Sequence, residues 1–281
     1  VLPFTWCWFM INFIIKRALR RLHEIRDYDP TPGELRGWSW DKPPVKPRAY
    51  LGLGVSDIAY ASECGFKSLW LKRRGVKVEV GEHARIGLVI HEVFHVASSD
   101  LRSLLPRLNP WDAVETLLRR AQARISPFSR ERWAVNLYKA LVVSWAGEAS
   151  SAKLYYGSPG LGFLPWLTEY KIDGSPLGLS KHLRVDAITE AGVVVEVKYG
   201  KPARWHYISL AGYAMALESF YEAPVDYGIL LVVSINNGDP LVSIEPVYIS
   251  AEYRRRFLET RDDAIDVLLS NEEPPDVECR A

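Results

Sequence analysis

The sequence predicts an α/β (α+β) fold, a mixed central sheet with helices packed around it. Two observations carry that expectation. Leu183 to Thr189 and Val193 to Tyr199 read as a strand pair, and the buried run Asp226 to Ile235 followed by Leu241 to Ile249 reads as a second. Between and before these pairs lie long stretches of helical spacing, and helices alternating with strands of both kinds need a sheet covered on its faces. At 281 residues and 31.9 kDa, with 48% hydrophobic and 25% charged residues, the chain has the composition of a globular protein that buries a substantial core. Its net charge of +1 excludes a globally basic field, so a nucleic-acid surface has to be a local patch. Cys7, Cys64 and Cys279 are too few for a disulfide framework and point to a reducing, cytoplasmic setting.

The N-terminal stretch Val1 to Ile15 is apolar and aromatic, with Lys16, Arg17, Arg20 and Arg21 behind it. It is short for a membrane span, and a secretory signal carries its positive charge first, so a packed amphipathic helix is expected and no stable membrane partner. From Asp27 to Pro47 prolines and glycines exclude regular elements, and Trp38 and Trp40 are expected to anchor this arm to the body. Ser56 is read as the N-cap of a helix through Cys64 that continues to Arg73, Val76 to Val80 as a short strand, and Glu82 or His83 to Ala97 as a helix. Two amphipathic helices follow, Trp111 to Arg124 and Ser129 to Trp145; their mixed charges read as a solvated face. Gly157 to Pro165 is a loop, Trp166 to Ile172 a strand, Ala203 to Tyr221 an apolar helix, Asn236 to Asp239 a turn and Ala251 to Leu269 a final helix.

The chemistry gathers in the hairpin KHLRVDAITEAGVVVEVKYG, residues 181–200. If its turn is symmetric about Ala191, Asp186 stands opposite Glu196, with Cβ atoms roughly 5 Å apart, and Lys198 shares their face. Opposed carboxylates repel, so the pair needs a cation, and a divalent metal supplies one. The alternative is a solvated face neutralised by Lys198 and Arg184. The β-branched run Val193 to Val195, with Val197 after it, favours a cleft over an open face.

Asp186 followed by Glu196-Val197-Lys198 resembles the PD-(D/E)XK nuclease core, in the setting of RecB-like nucleases. Gly87-Leu-Val-Ile-His91 is similar to their upstream Gly-x-x-x-His motif. Tyr213 matches the tyrosine of their Gln-x-x-x-Tyr helix, with Ser209 in place of the glutamine, and Glu169 lies where such cores have a first strand and sometimes an extra acid. Arg36-Gly37-Trp38-Ser39-Trp40 resembles the archaeal subtype-A branch of the CRISPR-associated RecB-like enzymes, the iron-sulfur CRISPR exonucleases. The resemblance divides the chain into an N-terminal helix and arm (1–48), a nuclease domain (49–250, with a helical insertion at about 101–150) and a C-terminal helix and tail (251–281).

The resemblance implies a metal-dependent DNA nuclease that trims ends before integration of new spacers. It implies catalytic Asp186, Glu196 and Lys198, and Mn2+ or Mg2+ held by His91, Asp186, Glu196 and the backbone carbonyl of Val197. Tyr213 and Glu169 are expected to support the site or touch DNA. The implied partners are DNA, single-stranded or with single-stranded ends, and the CRISPR integrase and other adaptation proteins; an oligomer is compatible with it. It further implies an iron-sulfur cluster with Cys64 as one ligand and Cys279 as another, but two thiolates do not complete a four-cysteine site, so the cluster motif reads as truncated or lost.

Two other readings compete. His91-Glu92-Val93-Phe94-His95 is a literal HExxH, the helical pair of a zinc metalloprotease with Glu92 as base. Ser98 and Leu101 stand at the glycine and third-histidine positions of its extended form, leaving Glu115 as a distant candidate ligand. The third reading is a non-catalytic DNA-binding subunit of the adaptation machinery.

Overall fold

The computed structural model describes residues 11–76, 81–156, 166–189, 192–270 and 272–275. Among these, eight α-helices surround one five-stranded mixed sheet. The strands are β1 (Leu167–Ile172), β2 (Leu183–Ile188), β3 (Val194–Tyr199), β4 (Tyr227–Asn236) and β5 (Asp239–Tyr248), and they lie side by side in chain order. Only β3 and β4 run parallel, because α7 (Arg204–Tyr221) crosses between them; every other pairing is antiparallel.

A parallel pair flanked by helices is buried on both faces, and β3 and β4 read accordingly. Val195, Val197, Ile229, Leu231 and Val233 enter one core, with α4 (Glu82–Leu104), α5 (Pro110–Ile125) and α6 (Arg132–Tyr156). Val194, Leu230 and Val232 enter the other, with α2 (Val55–Ala61), α7 and α8 (Ala251–Ser270). In the first, Trp145 and Trp166 meet edge-on at 5.6 Å, and Asp100 of α4 accepts hydrogen bonds from Tyr138 and Arg124, tying three helices together.

The proline-rich arm belongs to the second core. Leu35 and Val45 are buried there, and two α8 arginines hold the arm by its backbone. Arg261 donates to the carbonyls of Val45, Pro44 and Lys46, and Arg254 to that of Leu35. Burial without a full complement of charge depresses the Arg261 pKa. Arg36 and Gly37 reach Glu218 at the end of α7. A Cβ on Gly37 would sit 1.9 Å from the Met215 carbonyl oxygen, so Gly37→Ala is expected to destabilise the protein by about 3 kcal/mol, read from a denaturant midpoint at unchanged m-value.

Several boundaries differ from expectation. Gly54 takes the N-cap position of α2 in place of Ser56, and Ser62 to Gly65 separate α2 from α3 (Phe66–Arg73). The α4 helix runs about two turns past Ala97, held by Leu101, which is fully buried. Of the expected strand at Val76 to Val80, residues 77–80 lie outside the described residues, as do 1–10 of the apolar N-terminus; α1 (Ile11–Tyr28) packs on β4, β5 and α6. No helix of the described residues is long and apolar enough to cross a membrane.

Candidate metal centre

The centre forms where the sheet breaks its own alternation. Thr168 pairs with Ala187 and Tyr170 with Val185. Ala187 belongs to the α4 core whereas Val185 and Tyr170 pack into the α7 core, so both strands change face between those pairs. Glu169 and Asp186 occupy the step between. Glu169 absorbs it with a left-handed backbone, φ 52°, a conformation that costs a residue with a Cβ about 1–2 kcal/mol. Glu169→Gly is therefore expected to melt at a higher temperature than Glu169→Ala, a comparison made in two thermal scans.

The β2–β3 ladder has Ala187↔Val195 and Ile188↔Val194, which brings Asp186 level with Glu196. There the ladder stops, and the Asp186 carboxylate fills the split by accepting the Val197 N–H at 2.9 Å. Its other oxygen lies 3.5 Å from His91 Nδ1. Glu169 completes the group: one ligand atom each from His91, Glu169 and Asp186 lie within 4.8 Å of one another. Arg184 stands 3.5 Å from Glu169 Oε2.

Glu196 and Lys198 lie against this triad. Glu196 is fully buried, with Oε1 2.6 Å from Lys198 Nζ, and Oε2 has no hydrogen-bond partner among the described residues. Desolvation pushes the Glu196 carboxyl up to about 7; Lys198 opposes the rise, and the Asp186 charge adds to it. The two carboxylates hold the Lys198 ammonium protonated despite burial. Trp205 presents its ring 5.6 Å from Nζ, and neighbouring His206, its Nδ1 accepting the Ala203 N–H, is pushed down to about 3 by burial and by Lys198.

A carboxyl whose folded pKa lies above its unfolded value keeps its proton longer when folded. Glu196 thus contributes stability that is present below pH 4.5 and lost as pH rises to about 7. In chelator, the denaturation midpoint is expected to fall across that window in the wild type, and Glu196→Gln is expected to flatten the fall.

The residues present fit a divalent ion. Two carboxylates and an imidazole converge, and Glu196 Oε2, buried beside them, lacks a hydrogen-bond partner among the described residues, an arrangement that a cation would relieve. The composition of the group differs from the expected set. Glu169 enters as a third member, while Glu196 turns toward Lys198 and stands outside the group of three. Val197 donates its N–H to Asp186. Tyr213 is buried with its hydroxyl 3.4 Å from Ser56 Oγ, and burial with the nearby Glu196 and Asp186 charges holds the phenol well above its ordinary pKa. Its hydroxyl is thus turned into the interior beside the site. Sequence reasoning missed Trp205, for which no motif signals, and the left-handed Glu169.

The HExxH histidines are divided between tasks. His91 faces the carboxylates, whereas His95 Nδ1 shares a hydrogen bond with Thr168 Oγ1 at 3.0 Å, and Glu92 is exposed. Among the described residues no group of three or more candidate metal ligands joins His91 to His95. Cys64 sits in the turn between α2 and α3, and Cys279 lies outside the described residues. The three cysteines of this sequence do not complete a four-thiolate site.

Residues 9–279 match the family described as CRISPR-associated exonuclease Csa1. A curated protein of that description from Thermoproteus tenax is 33% identical over 271 residues, 94% of each chain. Another, from Saccharolobus solfataricus, is 30% identical over 259 residues, 86% of each.

Proposed function

Because the chain belongs to the Csa1 family of CRISPR-associated exonucleases, we propose that it is a metal-dependent deoxyribonuclease with a PD-(D/E)XK core, trimming DNA ends before their integration as new spacers. The observation that carries the chemistry is the convergence of His91, Glu169 and Asp186 beside the buried Glu196–Lys198 pair. Those three would hold Mn2+ or Mg2+, with Glu196 Oε2 as the further donor on offer; the imidazole favours manganese. When bound, such an ion would supply Lewis-acid polarisation of a phosphate and a lowered pKa for a coordinated water.

The protein's own groups do the rest. Asp186 is fixed by the Val197 N–H and Glu169 is steadied by Arg184, so neither carboxylate has to reorganise when a cation enters. Lys198, protonated and drawn in by Glu196, orients water by donating to its oxygen and offsets negative charge developing on the phosphate. His206, held neutral, adds no second cation beside Lys198. The setting is cytoplasmic, and the partners are DNA and the integrase proteins of adaptation.

The test is incubation of the purified protein with end-labelled single-stranded DNA and Mn2+, with casein as the protease control. Shortening of the label with casein intact supports the reading. Casein cleavage without DNA cleavage reverses it, and DNA binding with neither cleavage leaves a non-catalytic subunit.

A further inference from the structure

Beyond the acidic cluster a groove of about 460 Å³ runs between α4 and β1. Its walls include His95, Ser99 and Arg102 from the helix and Thr168, Glu169 and Lys171 from the strand. Glu169 belongs to both groove and cluster, so the one opens onto the other. We propose that this groove is the channel for a single strand of DNA flanking the scissile phosphate, with Arg102 and Lys171 as its phosphate ligands. The proposal rests on the nuclease reading above and adds where the substrate lies.

Its charge favours that ligand. Among the described residues Arg102 and Lys171 have no ion-pair partner, whereas Arg124 is paired with Asp100 and Arg184 with Glu169. Glu169, already committed to the cluster, is the one carboxylate lining the groove. Two cations without an ion pair among the described residues, beside a channel that ends at a candidate metal centre, suit a chain of phosphates.

Its shape favours a single strand. The consecutive residues Leu167 to Lys171 all line the groove. On a sheet face only alternate residues do so, so it is the outer edge of β1, the outermost strand among the described residues, that borders the channel. A volume of this size holds roughly one or two nucleotides and no duplex.

The helix keeps the approach clear. Gly87, His91, His95, Ser99 and Arg102 follow one another at spacings of four and three residues, one stripe along roughly 22 Å of α4. A Cβ on Gly87 would meet nothing within 4 Å, so packing does not require this helix-weakening glycine. One turn before His91 it keeps open the space a sugar-phosphate backbone needs.

The test compares the wild type with the double variant Arg102→Ala/Lys171→Ala, both changes being on accessible side chains. Binding of fluorescein-labelled oligothymidylate is followed by anisotropy in chelator over a salt series. The slope of log K against log salt is expected to shrink by about 1.4, two phosphates at about 0.7 each. In Mn2+ the double variant should show KM raised about tenfold with kcat within about twofold, while affinity for a blunt duplex changes less than about twofold. Gly87→Leu should raise KM without lowering Tm.

An unchanged slope and KM in the double variant of a protein that does cleave would overturn the channel and leave the nuclease reading standing. An equal loss of duplex affinity would overturn the single-strand assignment. A reduced slope in a protein that never cleaves would keep the channel and remove the nuclease.

Discussion

Asp186→Ala is expected to lower Mn2+-dependent DNA cleavage by at least about 10³-fold, the scale of loss when a group that organises transition-state charge is removed. The size of the effect follows from the two tasks this carboxylate performs. One oxygen accepts the Val197 N–H where β2 and β3 part, and the other faces His91 in the cluster with Glu169. Asp186→Asn separates those tasks: the amide oxygen still accepts the Val197 N–H, so circular dichroism and Tm should stay close to wild type while cleavage is lost. Lys198→Ala removes the ammonium and leaves the triad intact. It is expected to bind Mn2+ and cleave about 10²–10³-fold more slowly. Full activity in Lys198→Ala would contradict the role given to that residue.

The second large effect is on stability. Glu218→Ala is expected to destabilise the fold by about 3–5 kcal/mol, because it strips a fully buried knot of its central anion. Glu218 accepts from Arg36 at 2.8 Å, from Arg254 at 2.7 and 3.0 Å, and from the backbone N–H groups of Gly37 and Val225. Without it Asp226, 2.5 Å from Arg36, is the one carboxylate partner left to the two guanidinium groups among the described residues, and the N–H groups of Gly37 and Val225 lose their acceptor. Glu218→Gln should recover part of the loss through its remaining carbonyl oxygen. A denaturant titration showing Glu218→Ala within about 0.5 kcal/mol of wild type would mean that the arm is not held by this knot.

This knot gives Arg36-Gly37-Trp38-Ser39-Trp40 its structural meaning, and periodicity could not have found it. The motif resembles a family signature, but the reason for its arginine and glycine is a glutamate far along the chain, reached through tertiary packing. The tryptophans expected to anchor the arm contribute less: Trp40 is exposed and Trp38 half-buried, and the arm is held instead by its own backbone carbonyls, which accept from Arg254 and Arg261.

The hairpin was far more legible. Its turn is local, so the alternation of Leu183 to Thr189 against Val193 to Tyr199 was enough to bring Asp186 level with Glu196. The strands part, Asp186 fills the gap, and the face change at Glu169 directs a third acid toward His91. A left-handed glutamate in a strand runs against local propensity and carries no signature in composition. His95 illustrates the converse. HExxH is a true helical spacing in α4, but β1 supplies Thr168 as the partner of its second histidine.

His91, Glu169 and Asp186 are expected to hold one divalent cation, with His95 outside the site. The most direct test is calorimetric titration of Mn2+ into the wild type, Asp186→Asn, Glu169→Gln and His95→Ala. One binding event is expected in the wild type, unchanged in His95→Ala and weakened at least about tenfold in each carboxylate variant. Binding that survives in both carboxylate variants and disappears with His95→Ala would contradict it.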